Sequence, residues 1–590
     1  MQEVQTGSKW RQNVVFGGMI VILLALGVRL WTMRMMYGEK AVKMADRQQR
    51  RIIRIPARIG NIYGVAHSRP VLLATSRQAP TCFVDPSLLK DYNIPEVAIE
   101  VGDVLGVDPV KIQHTLFERR DKRYAPIKDN PNREITPGQR SAIVALGNPA
   151  VGIEYQWKRG YPCGPLAGSV IGFRMRDGKP GGGVELALND CLKAFDGRRE
   201  LMADAVGRAV GLKPGTSIPP RDGNHVFLCL DAVIQEYLHE ALNESVAKYG
   251  GPKTWAAGVV IEPQSGRVVA MSSVPNFDPN ESNRPGALAT NRAIIMPFEP
   301  GSVVKPLFAA AAVSEGVATW DTMIFCENGC YRPPRGGRIT DHGKSYGMKS
   351  VTDGIVLSIN TLMAKLGGML GNKKLHTWVT KFGFGSRTGI RLPGEDPGLI
   401  RPLRRWDTYS TPRVPFGQEM AVTSLQLAMA FGAVANDGLL LKPRLVERIV
   451  NPKGKVLHVE GRKVVRPVFT PQIARKCRLV MQEVVERGTG KRCRMDKWSS
   501  FGKTGTAQIA GPGGMGYLDG AYTGSFVGGA PVEKPRLLCV ISVYRPDRSK
   551  AYYGGTVAAP YVKQVLEKSL TYLKVPPDKG VRIASTVAQH

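Results

Sequence analysis

The chain of 590 residues is long enough for two or three domains, and its 43% hydrophobic residues can bury a sizeable core. Its 81 Lys and Arg against 49 Asp and Glu leave a net charge of +32. With no aromatic-interleaved basic patch and no zinc spacing, that charge does not point to nucleic acid, and an anionic lipid or wall polymer, or simply a solvated basic surface, fits better.

Residues 1–13 are polar and carry Lys9 and Arg11. The apolar run over 14–28 is shorter than the roughly 20 residues of a full span. Arg29 can snorkel and Trp31 suits an interface, so the anchor is read as 14–33. No small-residue cleavage site follows clearly, which favours an uncleaved anchor over a signal peptide. Arg29, Arg34, Lys40 and Lys43 outnumber the cations before the segment, and the positive-inside rule taken alone favours an N-terminus outside. The glycine-rich loop at 178–183 lacks the strand-loop-helix frame of a phosphate cradle.

From about His225 the pattern changes. Residues 231–249 read as an amphipathic helix, and 257–261 and 267–271 read as strands joined by a Pro-Gln-Ser-Gly turn. Helices are expected from Ser302, from about Thr352 and from about Thr423. Two strands, at 503–509 and 536–544, and a helix over 560–573 close an α/β (α+β) domain with an antiparallel sheet and a helical cluster. The polar tail 576–590 is expected to be disordered. The nine cysteines are odd in number and scattered, unlike a disulfide framework. Cys326 and Cys330 flank Glu327-Asn328-Gly329, which reads as a turn, and stand open between a disulfide and two free thiols, while a zinc site lacks a second pair at suitable spacing.

Three short motifs carry chemistry. Ser302 and Lys305 stand three apart at the start of an Ala-rich segment, on one face of a helix beginning at about Gly301 or Ser302. A serine nucleophile needs a base, and a lysine desolvated near the positive end of a helix dipole is pushed towards the neutral amine. Ser358 and Asn360 offer a hydroxyl and an amide two residues apart. In Lys503-Thr504-Gly505-Thr506, a strand puts Lys503 and Gly505 on one face and the two threonines on the other. There the lysine and hydroxyls suit a carboxylate, and Gly505 admits a second backbone.

These motifs, in this order, resemble the S-x-x-K, S-x-N and K-T-G signature of the penicillin-binding proteins and serine β-lactamases. The flanks narrow the resemblance to class B penicillin-binding proteins, of which the cell-division transpeptidase is the most similar type. They are Phe298-Glu299-Pro300-Gly301-Ser302, Gly417-Gln418-Glu419-Met420, Tyr522-Thr523-Gly524-Ser525 and Tyr553-Gly554-Gly555-Thr556. Arg159-Gly160-Tyr161-Pro162 and Gly181-Gly182-Gly183-Val184-Glu185 resemble the family's N-terminal module. Ala57 to Tyr63 resembles its opening element, with an extra Ile59 between the arginine and the glycine.

The resemblance implies a cytoplasmic tail (1–13), a transmembrane anchor (14–33), a β-rich pedestal (34–220), a transpeptidase domain (225–575) and a terminal tail. It implies acyl transfer on the D-Ala-D-Ala end of peptidoglycan stem peptides in septal wall synthesis, and inhibition by β-lactams. Ser302 is then the nucleophile, Lys305 the base, Ser358 the proton relay and Asn360 the orienting amide. Lys503, Thr504, Gly505 and Thr506 form the substrate-binding strand, with an oxyanion hole in the backbone N–H groups of Ser302 and Thr506. No metal or organic cofactor is implied. The implied location is the cytoplasmic membrane, with the N-terminus in the cytoplasm and the catalytic domain outside. The implied partner is a polytopic glycosyltransferase of the shape, elongation, division and sporulation class, with other division proteins. Gly17 and Gly18 permit close helix approach to such a partner. The alternatives are an elongation transpeptidase, a carboxypeptidase or β-lactamase, and a membrane-anchored β-lactam sensor.

Overall fold

The computed structural model describes residues 6–579 except 90–92, 123, 128–133, 176–177, 204–208, 213–215, 282–285, 335–336, 344 and 512–515. A single 44-residue helix, Thr6–Gln49, opens the chain. Its stretch Lys9–Tyr37 is apolar enough to cross a membrane and buries none of itself against the protein. At 1.5 Å per residue its 29 residues exceed the ~30 Å hydrocarbon core. The helix thus overruns the expected 14–33 at both ends. Arg29 and Arg34 do not end it because arginine is a good helix former, and no Gly-Pro punctuation follows.

Compactness does not follow the linear order. One unit comprises 1–58 and 194–222, and the other comprises 59–193 and 223–590. In the first, the strands Arg50–Ile55, Gly197–Ala203 and Ala209–Leu212 form an antiparallel sheet. In the second, Ile62–Ala66 pairs antiparallel with Arg69–Val84 and in parallel with His225–Asp231. His225–Asp231 in turn pairs with Val446–Val450, so one seven-stranded sheet draws segments from both ends of the chain.

The two N-terminal motifs meet in this unit. Arg159 Nε donates to Glu185 Oε1 at 2.6 Å and Arg174 Nε to Glu185 Oε2 at 2.7 Å. Glu185 is fully buried, and the arginine side chains are 5% and 7% exposed. Arg159 also donates to the Gly60 carbonyl at 2.8 Å. One carboxylate therefore offsets two buried guanidinium groups, and removing it strands both. Glu185→Ala is expected to cost about 3–5 kcal/mol, read as a clear fall in the thermal unfolding midpoint. An unchanged midpoint contradicts this account of the cluster.

The half that carries the three motifs is built on a five-stranded antiparallel sheet, ordered Arg267–Val274, Trp255–Glu262, Leu537–Tyr544, Tyr517–Ala530, Phe501–Ala510. Three strands close the domain where the sequence suggested two, since Tyr517–Ala530 lies between the expected pair. The helices Ala232–Tyr249 and Ala559–Tyr572 cover one face. Helix Ser424–Ala435, capped by Thr423 and buried throughout, belongs to the core on the other face with Lys305–Ser314, Asn360–Lys381 and Pro471–Glu486. Phe501–Ala510 is one of the sheet's two edge strands, Arg267–Val274 the other.

All nine cysteines, Cys326 and Cys330 included, are free thiols. The start of the expected disordered tail is docked: Asp578 accepts from the Ser499 N–H at 2.6 Å, and Lys579 pairs with Glu486 at 2.8 Å. Residues 580–590 lie outside the described residues.

Candidate active site

Ser302 lies in a single 3-10 turn, Gly301–Val304, and the α-helix begins only at Lys305. This corrects the expected helix start at about Gly301 or Ser302. In an α-helix the Ser302 carbonyl would receive the N–H of residue 306, but Pro306 has none. The Lys305 N–H takes that carbonyl instead, closing an i,i+3 turn. Residues three apart eclipse in such a turn, which keeps Ser302 and Lys305 on one edge. Gly301 has φ +59°, and a Cβ there would stand 2.9 Å from the Thr506 carbonyl oxygen, so glycine lets the Ser302 turn press against the edge strand.

Lys305 is completely buried. Its Nζ donates to the Ser358 carbonyl at 2.6 Å, to Asn360 Oδ1 at 2.7 Å and to Ser358 Oγ at 3.3 Å. Lys503, also completely buried, donates from the other side to Ser358 Oγ at 3.0 Å and to the Thr504 carbonyl at 3.1 Å. One hydroxyl is thus bracketed by two amines. Burial, then the nearby Lys503 charge, hold Lys305 well below the usual lysine range, against an opposing pull from Asp341. Burial pushes Lys503 down to about 7.

Ser358 occupies the left-handed region at φ +63°, between the helices Val351–Val356 and Asn360–Lys381. Such strain in a non-glycine residue persists only where its surroundings enforce it. Here the enforcing group includes Asp341. The Asn360–Lys381 helix has Ile359 at its N-cap and no side-chain cap of its own. Asp341 supplies one from outside, accepting from the N–H groups of Asn360 at 2.6 Å and Thr361 at 3.1 Å, and from Thr361 Oγ1 at 2.7 Å. Asn360 Nδ2 donates to the Thr340 carbonyl at 2.9 Å, which turns Oδ1 towards Lys305. Sequence reading passed over Asp341. Its signal was the capless helix start, which demanded an acceptor from elsewhere.

On the edge strand, Lys503 and Gly505 face the protein. A Cβ on Gly505 would stand 2.8 Å from the Pro300 carbonyl oxygen. Thr504 and Thr506 face a cleft of about 600 Å³ that Ser302 and Ser358 also line. Thr504 Oγ1 shares a 2.8 Å hydrogen bond with Thr489 Oγ1, a second residue the sequence reading passed over, and Thr506 Oγ1 accepts from the Gly554 N–H at 3.1 Å. The three separated motifs therefore converge. Ser302, Ser358, Thr504 and Thr506 line the cleft, while Lys305 and Lys503 reach Ser358 from behind and Asn360 holds Lys305. The arrangement offers a hydroxyl nucleophile, buried low-pKa amines, a hydroxyl relay between them, and an open strand edge with hydroxyls for an extended peptide.

The likeness to known proteins runs along almost the whole chain. Residues 256–567 match the penicillin binding protein transpeptidase domain, and 54–228 match the penicillin-binding protein dimerisation domain. A probable peptidoglycan D,D-transpeptidase of Neisseria meningitidis is 30% identical over 97% of this chain and 93% of its own length. Stage V sporulation protein D of Bacillus subtilis is 29% identical over 96% and 86%. The crystal structure of penicillin binding protein 3 of Mycobacterium tuberculosis, complexed with aztreonam, superposes with a TM-score of 0.68 at 26% identity. It covers 89% of this chain and 98% of that one.

Proposed function

The chain belongs to the class B penicillin-binding proteins and is a peptidoglycan D,D-transpeptidase, and from that premise we propose that it works through an acyl-enzyme on Ser302 in septal wall synthesis. The observation that carries the mechanism is the Ser358 hydroxyl held between Lys305 and Lys503 on the cleft that Ser302 lines.

The stem peptide adds to the edge strand Phe501–Ala510 in antiparallel sense, its terminal carboxylate held by the hydroxyls of Thr504 and Thr506 with the buried Lys503 amine behind them. Neutral Lys305 takes the Ser302 hydroxyl proton as Oγ attacks the carbonyl between the two D-alanines. The backbone N–H groups of Ser302 and Thr506 hold the oxyanion. The proton then passes from Lys305 through Ser358 Oγ to the departing D-Ala nitrogen, and the C–N bond breaks. An amine of a second stem later attacks the ester and frees Ser302. Asn360 keeps Lys305 aimed at Ser358, and Gly505 gives the nucleophile turn its room. A β-lactam acylates the same serine.

The septal role is supported by the motif flanks, which resemble the cell-division type. The likeness to stage V sporulation protein D keeps a developmental wall role as the second reading. Depletion of the protein in its host is expected to give filaments with blocked septa. Rounded cells would assign it to elongation, and normal vegetative growth with defective spores to the second reading.

The helix Thr6–Gln49 is proposed as a single-pass anchor with the catalytic domain outside the cytoplasmic membrane, where its substrate lies. Alkaline phosphatase fused after residue 40 is expected to be active, and a cytoplasmic reporter at the same point silent. The opposite pattern overturns the topology. The glycosyltransferase partner is proposed to pack on this helix at Gly17 and Gly18, and exchanging 14–28 for an unrelated apolar span is expected to weaken their co-purification.

A further inference from the structure

The mechanism leaves one wall of the cleft without a task. Beyond Thr504, the cleft is lined by Arg487, Lys491 and Arg492. Arg487 is committed to Glu483 at 2.6 Å and Asp353 at 3.0 Å. Lys491 and Arg492 are exposed, and among the described residues neither has an ion-pair partner. Asp341, the acidic residue lining the same cleft, is spent on Asn360 and Thr361.

The turn that presents these cations is tied down by backbone bonds and a buried residue. Lys491–Cys493 is a 3-10 turn whose last residue, Cys493, is completely buried. The N–H groups of Gly488 and Gly490 both bond the Val484 carbonyl, at 3.1 and 2.9 Å. Thr489 is bonded to Thr504 itself. The two cations are therefore latched to the carboxylate-binding strand, on the side where the leaving D-Ala carries its carboxylate.

We propose that Lys491 and Arg492 form the acceptor half-site, selecting an amine whose molecule carries a second, distal carboxylate. The inference rests on the acyl-transfer reading above. Acylation breaks the C–N bond to D-Ala, and transpeptidation makes a C–N bond at the same carbon. The acceptor nitrogen must arrive along the path by which the D-Ala nitrogen left, since the same donors and proton relay serve both directions. As it attacks, its nitrogen bonds the ester carbon, the bond from that carbon to Ser302 Oγ breaks, and the amine proton returns to Oγ through Ser358 and Lys305. A carboxylate on the amine-bearing carbon takes the place of the D-Ala carboxylate at Thr504 and Thr506. Whatever extends further lies against Lys491 and Arg492, and two exposed, unpaired cations there favour an anion.

The test uses the full-length protein in detergent, an N-acyl-D-alanyl thioester as donor, and paired acceptors. D-glutamate and D-2-aminoadipate are each compared with the corresponding side-chain amide, so that only the distal charge differs. The readout is the ratio of aminolysis to hydrolysis products, in which the acylation rate cancels. The wild type is expected to favour the distal carboxylate by about five- to tenfold for one of the two lengths, the scale of two exposed charge contacts. Lys491→Glu/Arg492→Glu is expected to abolish or reverse that preference, and the milder Lys491→Gln/Arg492→Gln to erase it. Equal use of acid and amide by the wild type overturns the proposal, and so does an equal loss with both acceptors in both variants. A wild type that consumes the donor but shows no preference sinks only the half-site. One that consumes no donor sinks the acyl-transfer reading beneath it.

Discussion

Ser302→Ala is expected to lose covalent labelling by fluorescent penicillin, with a fall of about 10⁴-fold or more in acylation, because removing a catalytic nucleophile eliminates the step rather than slowing it. Ser358 faces the same cleft, but its Oγ is held at 3.0 Å by Lys503 and 3.3 Å by Lys305, and its backbone is locked at φ +63°. The substitution removes one half-buried hydroxyl, so stability is expected to stay within about 0.5 kcal/mol. A variant that keeps its melting temperature but labels at more than a few per cent of wild type would put the nucleophile elsewhere.

The second large effect is expected at Lys305. Lys305→Arg keeps the cation and removes the ability to deprotonate, since guanidinium does not give up its proton in proteins. If Lys305 is the base, acylation falls by about 10²–10⁴-fold. If its role is electrostatic, the loss is within about tenfold. Burial and the neighbouring Lys503 act against a charged Lys305 and support the base role, while Asp341 opposes them. The larger guanidinium enters a completely buried site, so the measurement pairs the acylation rate with a thermal midpoint. Folded protein acylating within tenfold of wild type would remove Lys305 from the base role.

The site was legible because its chemistry is written in short motifs. Ser302 with Lys305, Ser358 with Asn360, and Lys503 to Thr506 each have a spacing with a chemical reason. What escaped reading depends on long-range partners or on glycine. The strand Tyr517–Ala530 includes Gly520, Gly524, Gly528 and Gly529, which blur the alternation that marks a strand. The helix Asn360–Lys381 includes Gly367, Gly368 and Gly371, and is kinked at Gly371 with φ +72°, so its helical signal is weak. The parallel pairing of Ile62–Ala66 with His225–Asp231 joins segments more than 150 residues apart, and nothing local encodes it. The 3-10 start of the nucleophile turn was readable in principle, because a proline four residues after Ser302 forbids the α-helical bond to its carbonyl.

The central claim is that Ser302 carries the acyl group, and peptide mass spectrometry of the penicillin-treated full-length protein tests it most directly. The adduct is expected on the peptide containing Ser302, with fragment ions that place the added mass on that residue and no adduct in Ser302→Ala. An adduct on Ser358, on Thr504 or outside the cleft would contradict it.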